Sequence, residues 1–147
     1  MWLLYSTLLA CRLQNPPDIS VSSGEIELNR DLGVSFFEGK PFSGYAIDHY
    51  PNQQKKEQTP YIHGKKHGTQ TRWFLDGTVA AETIYVNGRR NGNAKTWWKD
   101  GTLRTHSQFI NGVGHGVQKQ WFRTGELFKE INLNMGKEEG LQRAWRE

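Results

Sequence analysis

The sequence predicts an all-β protein, an elongated single-layer antiparallel β-meander made of 24-residue β-hairpin repeats. Three observations predict this fold class. Glycines recur every 24 residues, aromatic residues recur in phase with them, and Asn-Gly or Asp-Gly pairs separate short runs of β-branched and aromatic residues. Hydrophobic residues make up 35% of the chain and aromatic residues 12%. Apolar burial must therefore depend on a few large side chains, not on a thick aliphatic core.

Residues 1–11 resemble the export signal of a bacterial lipoprotein. An apolar run ends in Leu8-Leu9-Ala10-Cys11, which is similar to a lipobox, where the Cys receives the lipid after cleavage. No Lys or Arg precedes the run, although export signals normally begin with basic residues. A buried N-terminal strand with an ordinary Cys is the alternative. About ten apolar residues are too few for a membrane-spanning helix. The lipobox resemblance implies lipidation of Cys11 and a location in the cell envelope. A cytoplasmic protein is the alternative.

Residues 12–33 are predicted to be a linker and N-terminal cap. The segment 12–23 has the Pro, Ser and Asn content of a linker, and the folded part is predicted to start near Gly24. Residues 34–147 form the predicted repeat domain, with about 4.5 copies of the repeat.

The period of the repeat comes from glycine and aromatic columns that agree with each other. Each set that follows holds residues 24 positions apart: Gly44, Gly68, Gly92, Gly116, Gly140; Gly64, Gly88, Gly112, Gly136; Gly77, Gly101, Gly125; Trp73, Trp97, Trp121, Trp145. The first copy holds one extra residue, because Gly39 to Gly44 is five steps where later copies take four. Such a period is typical of a stacked repeat protein.

The residues between the columns predict hairpin turns. Asn87-Gly88 and Asn111-Gly112 favour two-residue type I′ turns, because both central residues need positive φ. Asp100-Gly101 is predicted to make the same kind of turn at the other end of each hairpin. Turns of two residues would place Val86 opposite Arg89 and Lys99 opposite Thr102.

Strand alternation from those turns predicts two different faces. The predicted apolar face gathers Phe74, Trp98, Phe122, Val79, Leu103, Leu127, Tyr85, Phe109 and Leu133. The predicted opposite face gathers Trp73, Trp97, Trp121, Trp145, Glu82, Lys95, Arg104, His106, Lys119 and Glu130. A β-bulge would invert the side chains that follow it.

The predicted ribbon advances about 9.6 Å per copy and reaches roughly 45 to 50 Å. No second layer is visible in the sequence, so the apolar face is expected to curl, to pair with a second copy or to receive a partner. The last strand is expected to be an exposed edge that accepts another strand. Both features make self-association an expectation.

No pattern in the sequence predicts catalysis, a cofactor or a metal site. The five histidines accompany no nucleophile motif and no phosphate-binding loop. His67 and His115 stand two copies apart, about 19 Å on this model, which is too far for one zinc ion. A formal charge of +4 with scattered Lys and Arg pairs does not favour nucleic-acid binding. The sequence therefore predicts a binding protein, not an enzyme.

The repeat resembles the variant form of the membrane occupation and recognition nexus (MORN) repeat. The residues that carry the resemblance are Tyr85-Val-Asn-Gly88, Gly92 and Trp97-Trp98-Lys-Asp-Gly101-Thr-Leu103, with counterparts in the neighbouring copies over about residues 36–147. The resemblance implies an elongated β-meander without enzymatic activity, of a type often labelled as an antitoxin component in bacteria. Other relatives are scaffolds or are proposed to contact membrane phospholipid.

These observations together predict a non-catalytic protein-interaction module with an antitoxin-like or immunity-like role. Its partner would be a toxin or an envelope protein. The predicted binding surface is Trp73, Trp97, Trp121, Trp145, Lys95 and Lys119, a stacking platform beside charge. A purely structural role is the alternative for the tryptophans, since cross-strand aromatic neighbours stabilise sheets without a ligand. The alternative function is a peripheral membrane or cell-envelope binder that uses the same tryptophans and the basic turns.

Overall fold

The computed structural model describes residues 14–140 and 142–145. Cys11 and its predicted lipidation lie outside the described residues. Within the described ranges, strands dominate, and the only helical segment is a 3-10 turn at Ser23–Glu25. The large sheet is antiparallel along nearly its whole length, which confirms the predicted β-meander.

The described residues form sixteen strands, numbered here in chain order: β1 Ser20–Ser22, β2 Glu27–Asn29, β3 Val34–Phe37, β4 Lys40–Pro41, β5 Gly44–His49, β6 Lys55–Ile62, β7 Lys65–Lys66, β8 Gly68–Trp73, β9 Val79–Val86, β10 Arg89–Trp97, β11 Leu103–Ile110, β12 Val113–Gly114, β13 Gly116–Trp121, β14 Leu127–Asn134, β15 Lys137–Glu138 and β16 Arg143–Ala144.

The main sheet follows the order β1-β5-β6-β8-β9-β10-β11-β13-β14-β15, with β7, β12 and β16 paired beside it. Strands β2, β3 and β4 form a separate small sheet. Strand β1 runs parallel to β5, with Ser20 opposite Tyr45, and it lies ahead of Gly24, where the sequence placed the start of the folded part. The parallel strand covers the N-terminal edge of the main sheet.

Two-residue turns recur at one end of the hairpins. Their first residues all have φ between 47° and 50°, and each is followed by a glycine with positive φ: Glu38, His63, Asn87, Asn111 and Met135. Val86 lies opposite Arg89, as the sequence predicts. Only two of these five turns carry the Asn-Gly signal, so the repeat period identifies the others better than residue type does.

Backbone hydrogen bonds join successive two-residue turns into what we call the turn ladder. The glycine N–H of each turn donates to a carbonyl 22 residues earlier: Gly64 to Phe42 at 2.6 Å, Gly88 to Lys66 at 2.8 Å, Gly112 to Arg90 at 2.7 Å and Gly136 to Gly114 at 2.8 Å. The turns are therefore stacked in register along the ribbon. The residue pattern of the turns does not predict this ladder.

The turns at the opposite end are longer than predicted. Gly101 N–H donates to the Trp98 carbonyl at 2.9 Å, and Trp98 N–H donates to the Thr102 carbonyl at 2.8 Å. Trp98, not Lys99, therefore faces Thr102, and the prediction of a two-residue Asp100-Gly101 turn is wrong. Only Gly101 of that pair has positive φ, at 87°. This is a three-residue hairpin loop, a type I turn closed by a left-handed glycine.

A β-bulge follows each of these three-residue loops. Thr96 pairs with Thr105, but Trp97 pairs with Leu103, which leaves Arg104 as an extra residue. The same shift leaves Lys56, Ala80 and Phe128 as extra residues in the other copies. We call Lys56, Ala80, Arg104 and Phe128 the bulge column. Because an extra residue reverses the alternation, the bulges redistribute the side chains between the two faces.

The face that we call the Trp face carries the main tryptophan column. Lys95 lies opposite His106, His106 opposite Lys119 and Lys119 opposite Glu130, so these residues share the Trp face as predicted. Val79, Leu103 and Leu127 pair with Trp73, Trp97 and Trp121. Their predicted place on the apolar face is therefore wrong, and the cause is the bulge.

The other face, which we call the groove face, holds Phe74, Trp98 and Phe122. Arg104 belongs here, not to the Trp face as predicted, because its guanidinium lies 4.5 Å from the centre of the Trp98 ring. Few side chains are buried in this single-layer sheet. Among the described residues, the buried apolar side chains are Phe42, Ala46, Pro60 and Ala81. Phe42 contacts Phe37 and Tyr61, with ring centres 5.9 and 5.8 Å apart, where the small sheet meets the main sheet.

Candidate functional site

The Trp face carries an apolar stripe across six neighbouring strands. In strand order from β8 to β14, its members alternate tryptophan with an aliphatic residue: Trp73, Val79, Trp97, Leu103, Trp121 and Leu127. The tryptophans are two strands apart, about 9.6 Å, so aliphatic side chains, not other indoles, fill the space between them. The stripe is therefore a mixed aromatic and aliphatic surface, half-buried along its length.

A charged row crosses the same face two residues away from the tryptophans. Its members are Glu82, Lys95, His106, Lys119 and Glu130, each paired with the next across the sheet. Lys119 Nζ lies 3.2 Å from Glu130 Oε2. Burial lowers the pKa of His106, and the neighbouring charges of Lys95 and Lys119 lower it further. His106 Nε2 lies 3.0 Å from Asn93 Oδ1.

The structure brings four of the six predicted surface residues together in the third and fourth copies. Lys95 and Trp97 are two residues apart on one strand, and Lys119 and Trp121 repeat that arrangement 24 residues later. Trp73 has Thr71 in place of the lysine. Trp145 lies just beyond β16 and is 39% exposed. Its backbone N–H donates to the Phe128 carbonyl at 2.9 Å. The basic part of the predicted surface is thus confined to two copies.

The groove face carries a second surface, which the sequence did not predict. One aromatic residue of each copy precedes its three-residue loop and forms what we call the aromatic column: Tyr50, Phe74, Trp98 and Phe122. A bulge-column residue stacks on three of these rings. Lys56 Nζ lies 6.0 Å from the Tyr50 ring centre, the Arg104 guanidinium 4.5 Å from that of Trp98, and the Phe128 ring centre 4.9 Å from that of Phe122.

The second copy differs because its bulge residue is Ala80. A methyl group does not reach over an aromatic ring as a long side chain does, so this copy leaves space beside Phe74. A cavity of about 320 Å³ lies there, lined by Tyr50, Lys56, Phe74, Ala80 and Arg104 among others. A larger cavity of about 610 Å³ lies between Trp98 and Phe128. Both cavities include Thr96 and Arg104 in their walls, so they lie next to each other on this face, and we call the two together the groove.

The floor of this groove is polar and its walls are aromatic. Thr96 Oγ1 and Thr105 Oγ1 lie 2.7 Å apart and bond to each other across the strands. Trp98 Nε1 donates to the Trp121 carbonyl at 3.4 Å, which turns the indole along the ribbon toward the next copy. The Tyr50 hydroxyl donates to the Trp73 carbonyl at 2.9 Å in the same way, so these two members of the aromatic column are held by the neighbouring copy.

An ion pair joins two neighbouring loops at the rim of the groove. Arg123 Nε lies 2.7 Å from Asp100 Oδ2, between residues 23 positions apart in the sequence. The hydrogen bond from Arg123, together with those from Thr102, lowers the pKa of the Asp100 carboxyl to about 2. Asp100 Oδ1 also accepts the Thr102 N–H at 2.9 Å, which closes the loop.

The sequence contains a signal that would have revealed the bulges. Asp76 and Asp100 each stand directly before the loop glycine and two residues before a threonine whose N–H they accept. An aspartate in that place is typical of a type I turn with a following left-handed glycine. If the Asp-Gly pair is taken as a type I′ signal, Arg104 is predicted on the Trp face, which is wrong.

The described part of the chain offers no cluster of side chains for a metal ion. Within residues 14–140 and 142–145, no three His, Cys, Asp or Glu side chains lie close enough to hold one. In the same ranges no helix is long and apolar enough to cross a membrane.

Comparison with known families finds a match in two segments of the chain. The family model described as the MORN repeat variant matches residues 66–87 and 114–134. The two matches begin 48 residues apart, two periods of 24, so they fall at the same phase of the repeat. The copy between them has the same turns and the same turn ladder. No curated protein and no solved structure matches the chain.

Proposed function

We propose that this chain, of which two segments match the MORN repeat variant, is a non-catalytic binding module that holds a protein partner along the Trp face. The observation that carries this proposal is the apolar stripe of alternating tryptophan and aliphatic side chains. It lies beside a charged row on a sheet face that no second layer of the described residues covers. Aromatic residues with a charged margin are typical of protein interfaces.

An antitoxin-like or immunity-like role is the most concrete form of this proposal. Such a protein neutralises one partner by covering it, which requires a large rigid surface and no chemistry. A ribbon about 45 to 50 Å long with uncovered faces provides that surface. A toxin or an envelope protein encoded beside this chain is the partner to test first.

Paired tryptophan variants test the proposed interface. Wild-type protein, Trp97→Ala with Trp121→Ala, and Trp98→Ala are used as bait against the product of the adjacent gene. Truncation of two central tryptophans on the Trp face is expected to weaken binding by about a hundredfold or more, as interface aromatics commonly do. Trp98→Ala makes the same truncation on the groove face and is expected to bind nearly as well as wild type.

Equal binding by all three baits would contradict the use of the Trp face. Failure of every neighbouring gene product to bind would contradict the antitoxin-like role. Far-ultraviolet circular dichroism of each bait establishes that it is folded, so that loss of binding reports on the surface.

Binding to a membrane or envelope polymer is the second candidate function. It is favoured by the position of Lys95 beside Trp97 and of Lys119 beside Trp121, since interfacial aromatics and lysines bind anionic surfaces. The ion pair between Lys119 and Glu130 reduces that charge. Co-sedimentation with phosphatidylglycerol vesicles and with peptidoglycan is the test. Binding that is unchanged by Trp97→Ala and Trp121→Ala would exclude a role for the tryptophans.

Lipidation of Cys11 remains a proposal of its own. The similarity of residues 8–11 to a lipobox supports it. Intact mass spectrometry of protein from a bacterial membrane fraction is expected to show an N-terminal diacylated or triacylated cysteine. A mature protein that retains an unmodified Cys11 would contradict the anchor.

A further inference from the structure

We propose that the groove is a docking site for an extended proline-rich peptide segment that carries an acidic side chain between two apolar ones. The groove runs along the ribbon on the face opposite the proposed protein interface. This inference does not rest on the proposed function, because the side chains that carry it, Trp98, Arg104 and Phe128, belong to the other face.

The spacing of the aromatic column selects the conformation of the peptide. Phe74, Trp98 and Phe122 belong to successive copies, so neighbouring members are about 9.6 Å apart along the ribbon. A polyproline II helix has three residues per turn and rises about 3.1 Å per residue, so equivalent side chains recur every 9.3 Å. A β-strand presents equivalent side chains every two residues, about 6.7 Å, and does not match. Aromatic-lined grooves are the surfaces that bind polyproline II segments.

The centre of the groove is basic. Arg104 forms the wall shared by the two cavities, and among residues 14–140 and 142–145 no carboxylate lies within 4.0 Å of its guanidinium. Arg123 at the rim is already paired with Asp100. Arg104 is exposed and lies over the Trp98 ring, and a guanidinium binds a carboxylate through two parallel hydrogen bonds. Arg104 is therefore expected to select a peptide with Glu or Asp at its central position.

The two flanking positions are formed mainly by aromatic and other apolar side chains. On one side, Ala80 leaves the space beside Phe74 open, and Lys56 and Arg72 also line that space. On the other, Phe122 and Phe128 form a tilted pair with ring centres 4.9 Å apart, and Phe128 is 39% exposed. Three members of the bulge column therefore follow one another along the groove: Ala80, Arg104 and Phe128. A peptide with an apolar residue, an acidic residue and an apolar residue at intervals of three places one side chain at each.

A labelled peptide of that pattern provides the test. Fluorescein-labelled Phe-Pro-Pro-Glu-Pro-Pro-Phe is titrated with the full chain, and binding is followed by fluorescence anisotropy. Three comparison peptides replace the central Glu by Gln, replace it by Lys, or replace all four prolines by Gly. The Glu peptide is expected to bind about tenfold more tightly than the Gln peptide, as the loss of one charged hydrogen-bonding pair commonly costs. The glycine peptide is expected to bind more weakly because it must be ordered first.

A charge exchange locates the site. Arg104→Glu is expected to weaken the Glu peptide by about tenfold or more and to strengthen the Lys peptide. Lys95→Glu makes the same charge change on the Trp face and is expected to leave both peptides unaffected. Phe128→Ala is expected to weaken every proline-containing peptide, since it removes one apolar wall.

Several results would overturn the proposal. These are the absence of measurable binding by any peptide to folded wild-type protein, equal affinity for the Glu and Lys peptides, and equal effects of Arg104→Glu and Lys95→Glu. If Arg104→Glu does not fold, the comparison of Glu, Gln and Lys peptides on wild-type protein still decides the central contact. Loss of the protein partner in Trp97→Ala with Trp121→Ala, with peptide binding retained, would show that the two surfaces act separately.

Discussion

Gly64 and Gly77 have the same backbone conformation in very different surroundings. Their φ values are 75° and 84°, in the left-handed region that favours glycine. A methyl group on Gly64 would collide with the Val34 side chain and would lie 2.6 Å from the Ser35 carbonyl oxygen, whereas a methyl group on Gly77 would have nothing within 4 Å. At position 77, glycine is required for the backbone conformation alone. At position 64, it is required for the conformation and also for packing against the small sheet.

Alanine substitution separates these two requirements. Gly77→Ala is expected to lower the free energy of unfolding by about 1 to 2 kcal/mol, the cost of a left-handed L-residue. Gly64→Ala is expected to lower it by a further 1 to 3 kcal/mol, roughly the cost of overpacking, because the small sheet must move away from the turn. Urea unfolding followed by tryptophan fluorescence measures both. Equal losses in the two variants would mean that the contact between the small sheet and Gly64 contributes nothing.

The two kinds of hairpin loop differ in how well their residue types predict the register of the strands. The Asn-Gly turns were predicted correctly in register, because two consecutive positive φ values leave few alternatives. The Asp-Gly loops were not, because aspartate is common both in type I′ turns and before a left-handed glycine. One extra residue in each loop and one in each bulge decided the side-chain directions. Arg104, Val79, Leu103 and Leu127 were consequently placed on the wrong face.

The ion pair between neighbouring loops predicts a pH dependence. The pKa of Asp100 falls from 3.8 to about 2 in the folded protein. A carboxyl whose pKa is lowered by folding stabilises the protein above its unfolded pKa. That contribution is present above about pH 3.8 and is lost as the pH falls through about 2.

Removal of the arginine tests the cause. Arg123→Gln is expected to raise the pKa of Asp100 from about 2 toward 3.8 but to leave it lowered, because the hydrogen bonds from Thr102 remain. Carbon-13 NMR of the carboxyl groups measures the change. Asp76, one copy earlier, is the internal control, because its pKa is lowered mainly by hydrogen bonds from Thr78. An Asp100 pKa that stays near 2 in Arg123→Gln would assign the shift to the loop backbone instead.

The whole molecule repeats one hairpin unit along the ribbon, and strand β1 caps the N-terminal edge of the main sheet. The period, the hairpin architecture and the single layer all follow from the glycine and aromatic columns. The N-terminal cap was predicted only as a position in the sequence. Its parallel strand β1 has no turn signal or alternation to identify it, because Ser20–Ser22 pairs only through the edge that β5 presents. Pairings at an edge depend on the partner, and residue patterns within a short strand do not reveal them.

Removal of one complete period tests whether the copies are interchangeable. Deletion of residues 91–114 joins Arg90 to His115, which occupies the position that Asn91 held one period earlier. The shortened chain is expected to fold cooperatively with a Tm lower by several degrees, since a repeat protein loses one unit and one interface. Deletion of residues 91–113 removes one residue fewer and is expected to fold poorly, because the faces of all later strands would be inverted.

Circular dichroism and thermal unfolding distinguish these two deletions. Similar melting curves for both would show that the sheet tolerates a change of phase and that the turn ladder does not enforce the register. An intact melting transition for the 24-residue deletion alone would show that the period is a structural unit.

The turn ladder also has a consequence for how the chain acquires its structure. Each rung connects residues 22 positions apart, and each strand pairs with strands close to it in sequence. Contacts of such short sequence separation require little loop-closure entropy, which favours rapid folding for a β protein. Each new hairpin pairs with the strand and the turn of the copy before it, so the ribbon can grow from the N-terminal end during translation. The capped edge at β1 and β5 would then be the starting point of assembly, and each later copy an addition to it.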